Sequence, residues 1–266
     1  FNHNTETNQP FAISKDFAKV VQEAIRLNKV TNGALDVTVG PLVNLWGFGP
    51  DKRLNKVPSE AQIAERAAVV GIDKFSLDMT GDKPTLTKSV KGLYLDLSSI
   101  AKGFGVDKLA EHLEQLGVSS YLVEIGGELR GKGNNLQGHP WRIAIEQPNF
   151  AQGESVQIIA PLHNLGMATS GNYRNYFEDE NGNRMSHIID PSKLSPVSHN
   201  LASITVLAPS SMTADGLSTG LFVLGENKAL EVAEKENIPV YLIMKTEKGF
   251  ETKMSSAFQK LLANKE

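Results

Sequence analysis

Asp96-Leu97-Ser98-Ser99-Ile100-Ala101-Lys102-Gly103-Phe104-Gly105-Val106-Asp107 is the stretch whose reading decides the fold. Leading into it, Leu93, Leu95 and Leu97 alternate with Tyr94, Asp96 and Ser98, the period of two that marks a half-buried strand. Leading out of it, Val106, Leu109, Ala110, Leu113 and Leu116 recur at helical spacing, and Gly117 follows as a stop. The spacing predicts a strand running into a helix, with two serines, a lysine and two glycines at the joint. Such a joint aims free backbone N–H groups forward, with the positive end of the helix behind them. Gly103 and Gly105 would let a bulky ligand approach the backbone. Lys102 adds a cation and Asp96 a carboxylate. This chemistry suits a phosphate-bearing ligand, with a metal as a further option. An ordinary strand–helix joint with a solvated lysine is the competing reading.

The chain around this joint has 266 residues, 40% hydrophobic and 21% charged, which fits one large globular domain, 1–266, or two intimate lobes. A net charge of −3, with both signs spread along the sequence, gives no electrostatic footprint for nucleic acid or an anionic membrane. No apolar run is long enough to span a bilayer. Cysteine is absent, which excludes disulfides, thiolate nucleophiles and thiolate metal sites. The opening Phe1-Asn2-His3-Asn4 is neither a signal peptide nor an initiator methionine and reads as the middle of a longer protein.

Along the chain, Phe17, Val20, Val21, Ala24 and Ile25 predict a helix from Ser14, and Ser59 with Gln62 forms a capping box that opens another, ending at Gly71. The segment from Thr31 to Gly49 reads as a pocket wall rather than a regular element. Phe75 to Asp78 and Thr85 to Thr87 predict a hairpin around Gly81-Asp82. Strands are expected at Tyr121–Ile125, over Trp141, Ile143 and Ile145, and at Val156–Ala160, Ile204–Ala208 and Val240–Met244. Asn181-Gly182 is a hairpin turn signal. Helices are expected at Met212–Leu224, at Lys228–Lys235 and at the C-terminus through Phe258, Leu261 and Leu262. Strands and helices mixed with this many hairpins argue for α+β over a doubly wound sheet.

Asp215 and Thr219 stand four apart near a helix start, so both oxygens share one face. A carboxylate with a hydroxyl suits Mg²⁺, which completes its shell with water and substrate oxygens. The competing reading is a capping aspartate and a threonine bonded back to its own helix. His187, flanked by Ile188, Ile189 and Asp190-Pro191, reads as a histidine at the edge of an apolar strand, a position more often structural than catalytic. The remaining histidines form no metal-ligand pair, and no Walker pattern is present.

Taken in order, these segments resemble the signatures of the ApbE-type flavin transferases, the FAD:protein FMN transferases. Gly33-Ala34-Leu35-Asp36-Val37-Thr38-Val39-Gly40-Pro41-Leu42-Val43 with Leu45-Trp46-Gly47-Phe48-Gly49 is similar to the first, and Asp96 to Gly103 to the second. Glu124-Ile125-Gly126-Gly127-Glu128, Ala168-Thr169-Ser170-Gly171, Ser186-His187-Ile188-Ile189-Asp190-Pro191 and Ala214-Asp215 with Thr219 follow in family order. The resemblance implies the α+β ApbE-like fold, with mixed and antiparallel sheets, flanking helices and FAD in a cleft between lobes. It implies FAD contacts from Ala34, Leu35, Asp36, Asp96, Lys102, His187 and Ile189. It implies Mg²⁺ held by Asp215, Thr219 and the backbone carbonyl of Ser99.

The implied activity is Mg²⁺-dependent transfer of FMN from FAD to a threonine hydroxyl of an acceptor flavoprotein, with release of AMP. The base would be His187 first and Asp215 second. The resemblance leaves room for the acceptor to be a subunit of a membrane redox complex. An FAD diphosphatase giving FMN and AMP, or a flavin-binding protein without turnover, would be the alternatives. Gram-negative members are commonly periplasmic lipoproteins, which would place a lipid-bearing cysteine upstream of Phe1. Two features depart from the family pattern. Its N-terminal segment, with a methionine near a Met-Gly-Thr start and an aromatic that contacts flavin, is missing, and position 218 is Ser218 where acidic residues are the alternative.

Overall fold

The computed structural model describes residues 1–49, 57–147, 156–172, 176–178 and 184–263. The chain divides into two compact units, Phe1–Ser99 with Asn175–Ser198, and Ile100–Arg174 with His199–Glu266.

In the first unit, helix α1 (Lys15–Val30) starts where the Ser14 side chain accepts a hydrogen bond from Phe17 N–H, and it buries Ala18, Val20, Val21, Ala24 and Leu27. Strands β1 (Phe11–Ala12), β2 (Phe75–Asp78) and β3 (Thr85–Lys88) form an antiparallel sheet in the order β1-β3-β2, which includes the expected hairpin. The segment read as irregular contains a short helix, α2 (Gly40–Leu45), which Pro41 starts with its preset φ. The Ser59–Gln62 capping box opens α3 (Glu60–Ala67), which stops short of Gly71. Further along lie the strand pairs β9 (Tyr176–Glu178) with β10 (Arg184–Ser186), and β11 (Ile189–Asp190) with β12 (Ser195–Pro196). The Asn181-Gly182 signal lies outside the described residues. Leu42, Trp46 and Ile189 form the buried centre of this part, and Trp46 Nε1–H donates to the Leu194 carbonyl at 3.1 Å.

The strand expected at Leu93–Leu97 does not form. Leu93 and Leu95 are buried as the alternation requires, but among the described residues no strand pairs with them. The backbone of Leu95 exchanges two 2.9 Å hydrogen bonds with the side chain of Asn2, and Asp96 N–H donates to the Val37 carbonyl at 2.7 Å. One-sided burial of an extended segment gives the same period as a ladder.

The second unit is built on a six-stranded antiparallel sheet. In chain order its strands are β4 (Tyr121–Ile125), β5 (Glu128–Lys132), β8 (Leu165–Gly171), β13 (Leu201–Ala208), β14 (Val240–Thr246) and β15 (Gly249–Met254), and in space they run β15-β14-β13-β8-β5-β4. Every residue of β13 is buried, since both faces are covered. On one side Leu207, Met167, Tyr241 and Ile243 pack with Phe258 of α6 (Ser256–Ala263) and with the hairpin β6 (Trp141–Glu146) and β7 (Val156–Leu162). On the other, Ala168 and Ala208 pack against Ala214 of α5 (Ser211–Lys235). Gly225 interrupts α5 with φ of 74°, at the junction of the two helices that the sequence suggests.

Helix α4 (Ala101–Gln115) begins earlier than its apolar stripe indicated, so Gly103 and Gly105 are helical. Leu109 and Leu116 are 49% and 66% exposed, while Gly103, Val106, Asp107 and Ala110 face inward. The cause is how closely α4 approaches α5. A Cβ on Gly103 would fall 2.3 Å from the Ser211 carbonyl oxygen and 2.8 Å from Asp215 Cβ, so this glycine admits a protein helix rather than a ligand. Gly105 likewise faces protein, with Ile125 Cδ1 3.3 Å from its missing Cβ. The two helices cap each other. Asp107 of α4 accepts from Ser211 N–H at 2.9 Å and Met212 N–H at 2.8 Å, the first two amides of α5. Asp215 of α5 accepts from Gly103 N–H in the first turn of α4 at 2.9 Å. Arg130 Nη1 donates to Asp107 at 2.9 Å and completes its shell.

Asp107→Ala would leave two buried amides and a guanidinium without their acceptor, and should destabilise the protein by roughly 2–4 kcal/mol. Urea denaturation reads this as a lower midpoint at unchanged slope. An unchanged midpoint would show that the mutual capping contributes nothing net.

Candidate active site

The chemistry-bearing groups of the second unit gather where α4 and α5 begin. Asp215 is 3% exposed. Burial pushes its carboxyl up to about 6, against the Gly103 hydrogen bond that lowers it; the charge of Glu128 raises it further and that of Lys102 pulls it down. One turn along α5, Thr219 Oγ1 lies 3.3 Å from Ser170 Oγ, which in turn lies 2.8 Å from Ser218 Oγ. The hydroxyl that bonds back to its own helix is Ser218, donating to the Asp215 carbonyl at 2.9 Å. The cap of α5 is Ser210, which accepts from Thr213 N–H at 3.0 Å. Neither Asp215 nor Thr219 therefore has the purely local role that competed with a site. Lys102, in the first turn of α4, pairs with Glu128 at the start of β5. Ser99 immediately precedes Ile100, the N-cap of α4.

Among the described residues no three His, Cys, Asp or Glu side chains converge as a metal cage. One carboxylate with neighbouring hydroxyls is a hard-oxygen set, and it fits an ion such as Mg²⁺, which takes few protein ligands and keeps water or substrate oxygens. The start of α4, with Lys102 beside it, suits an anion.

The first unit holds the other expected residues. Helix α1 ends at Thr31, whose Oγ1 donates to the Leu27 carbonyl at 2.8 Å and accepts from Leu35 N–H at 3.0 Å. Asn28 Nδ2 donates to the Leu35 carbonyl at 2.8 Å. The loop carrying Ala34, Leu35 and Asp36 is thereby fixed, with Ala34 and Leu35 buried. Asp36 accepts from both the amide and hydroxyl of Thr38, at 2.8 and 2.6 Å. Burial raises its carboxyl above the ordinary range, and the Thr38 bonds oppose this. Asp96 accepts from Ser98 N–H at 3.0 Å. Gly40 brings α2 against this segment, since a Cβ there would meet Tyr94 Cδ1 at 2.5 Å. His187 is not within a strand but at a bend between β10 and β11, half-buried, with its ring edge-on to Phe48 at 6.4 Å. Ile189 belongs to the core with Leu42 and Trp46.

Three residues carry more of this arrangement than their sequence signal suggested. Asp107 closes the opening motif, and Ser170 and Glu128 lie in segments matched by resemblance without a role of their own. A carboxylate directly after two glycines at the start of a sheet strand was the signal available for Glu128.

A family profile described as the ApbE family matches residues 1–242. The chain belongs to the ApbE family. It is 64% identical over 266 residues to a FAD:protein FMN transferase of Haemophilus influenzae, covering 100% of this chain and 77% of that relative. A FAD:protein FMN transferase of Vibrio cholerae is 51% identical over 263 residues, covering 99% of this chain and 77% of its own. Among solved structures, the flavin transferase ApbE from Vibrio cholerae matches with TM-score 0.87 at 49% identity, covering 98% of this chain and 81% of that one. The apo flavinyl transferase ApbE of Pseudomonas stutzeri matches with TM-score 0.85 at 42% identity, covering 96% and 77%. The α+β ApbE fold is thus established for this chain.

The raised carboxyl of Asp215 sets a pH dependence. Between about pH 4, where an unfolded aspartate titrates, and about pH 6, the folded state binds more protons than the unfolded state. Stability of the metal-free protein should therefore fall as pH rises through this window, by on the order of 2–3 kcal/mol. Asp215→Asn should flatten that component in denaturation curves taken at successive pH values. A slope that persists in the variant would assign it to another group.

Proposed function

We propose that this ApbE-family chain transfers FMN from FAD to a threonine hydroxyl of an acceptor protein in a Mg²⁺-dependent reaction that releases AMP. That it is a flavin transferase rests on relatives of that name aligned over essentially its whole length. The observation that carries the chemistry is the gathering of Asp215, Thr219, Lys102 and the N-terminus of α4 in one unit. The threonine oxygen attacks the phosphorus on the FMN side of the diphosphate. The bond from that phosphorus to the bridging oxygen breaks, and the oxygen leaves with AMP.

Asp215 and Thr219 would hold the ion, to which the resemblance adds the Ser99 carbonyl. Bound Mg²⁺ supplies charge neutralisation at the diphosphate. Lys102 steadies the phosphate oxygens, with the positive end of α4 behind it. Asp36 and Asp96, with the loop at Ala34 and Leu35 and the strand at Ile189, are the FAD contacts that the resemblance assigns. His187 takes the hydroxyl proton, histidine being suited to that transfer near neutral pH. The resemblance also carries a periplasmic, lipid-anchored placement into this proposal.

The deciding experiment incubates the protein with FAD and Mg²⁺, with and without an acceptor peptide bearing threonine. Covalent fluorescence on the peptide supports transfer, free FMN without labelling indicates a diphosphatase, and unchanged FAD indicates a carrier. Asp215→Ala should abolish labelling with the fold intact, and Thr219→Val should cost less, since a hydroxyl is the weaker ligand. His187→Ala should lower single-turnover labelling by about two to four orders of magnitude with FAD affinity little changed. Labelling within a few-fold of wild type would remove His187 from the chemistry.

A further inference from the structure

Glu128 is 4% exposed, and its carboxylate is only half satisfied. One oxygen, Oε1, pairs with Lys102 Nζ. The other, Oε2, is buried without a hydrogen-bond partner. A buried ion pair kept for stability alone would satisfy both oxygens, because an orphaned buried acceptor carries the full desolvation penalty. The asymmetry of the pair points elsewhere. The Glu128 side chain is 5% exposed and fixed, whereas that of Lys102 is 46% exposed. An ammonium has three N–H donors, so a single bond to Glu128 leaves donors for a ligand.

The position of Glu128 is set by the chain. It follows a two-residue turn in which Gly126 and Gly127 have φ of 61° and 100°, and it pairs with Ile125 across the β4–β5 hairpin. The turn lies over the ion pair, since a Cβ on Gly126 would sit 3.6 Å from Lys102 Cδ and 3.7 Å from Glu128 Oε2. The flexible stem of Lys102 is thus held between a hairpin turn and a buried carboxylate.

We propose that Glu128 is a positioning residue that orients Lys102 towards the diphosphate of FAD, an inference that rests on the flavin-transfer reading above. A free lysine would lose rotamer freedom on gripping phosphate, and Glu128 removes much of that loss beforehand. Glu128 touches neither the flavin nor the reacting atoms. Its effect is confined to ligands that carry the diphosphate.

The test is equilibrium titration of FAD and of riboflavin, which has no phosphate, against wild type, Glu128→Gln, Lys102→Met and the double variant. Glu128→Gln should weaken FAD about tenfold, the scale of one hydrogen bond to a charged group, and leave riboflavin unchanged. Lys102→Met should weaken FAD at least as much, and the double variant should be no worse than Lys102→Met. Wild-type FAD affinity in Glu128→Gln would overturn the inference, and so would a penalty that adds to that of Lys102→Met. An equal loss for riboflavin would overturn it too, by showing a general collapse. Should Glu128→Gln fail to fold, Lys102→Met alone decides, since undiminished FAD affinity there leaves Glu128 nothing to position. Binding is the readout, so absence of acceptor labelling by wild type would count against the transfer reading, while the contrast between FAD and riboflavin decides Glu128.

Discussion

Two helices in the second unit each end the other's shortage of hydrogen-bond acceptors, and the chemistry there depends on that exchange. A helix begins with amides that have no partner inside it. Here α5 gives its first two to Asp107 of α4, and α4 gives Gly103 N–H to Asp215 of α5. The exchange requires backbones close enough to exclude a Cβ at Gly103, and at Gly166 of β8, where one would lie 2.3 Å from Ser211 N. Two positive helix ends are thereby brought together with two carboxylates between them. Asp107 is consumed by its structural partners, Arg130 among them. Asp215 spends one oxygen on Gly103 and keeps chemistry in reserve.

The local electrostatics follow from that packing. Asp215 is buried deeply enough to resist ionising, and Glu128 adds a second negative charge nearby. Without an added cation this is an uncomfortable arrangement, with Lys102 as the compensating charge. A divalent ion would relieve it, and a diphosphate would arrive with the oxygens such an ion prefers. The carboxylate that makes the free protein less stable as it ionises is the one that would hold the ion in the proposed reaction.

Much of this was readable in the sequence, for identifiable reasons. The helices from Ser14 and Ser59 carried capping residues, and strands such as Tyr121–Ile125 carried their alternation, so local rules found them. Helical spacing placed Asp215 and Thr219 one turn apart on what is α5. The strand at Leu93–Leu97 was misread because burial on one side imitates sheet pairing. The inward face of α4 was read correctly at Val106 and Ala110 and misread at Leu109 and Leu116, because close helix approach favours glycine and aspartate over leucine there. Helix α2 was hidden by its brevity and glycine content. The roles of Asp107, Ser170 and Glu128 depend on partners distant in the chain, which no local pattern encodes.

The sequence separation of those partners also governs when the site can come into being. Asp107 and Ser211 are 104 residues apart, and Gly103 and Asp215 are 112 apart. During synthesis α4 leaves the ribosome long before α5, so its exposed amides and the buried-to-be Asp107 must wait in water for the later segment. The central strand β13, which joins β8 to β14, is made just ahead of α5. Contacts of such long range are slow to form. A nascent or C-terminally shortened chain would therefore contain most of the first unit's loops and none of the assembled α4–α5 junction. The α4–α5 junction assembles only after α5 has been made.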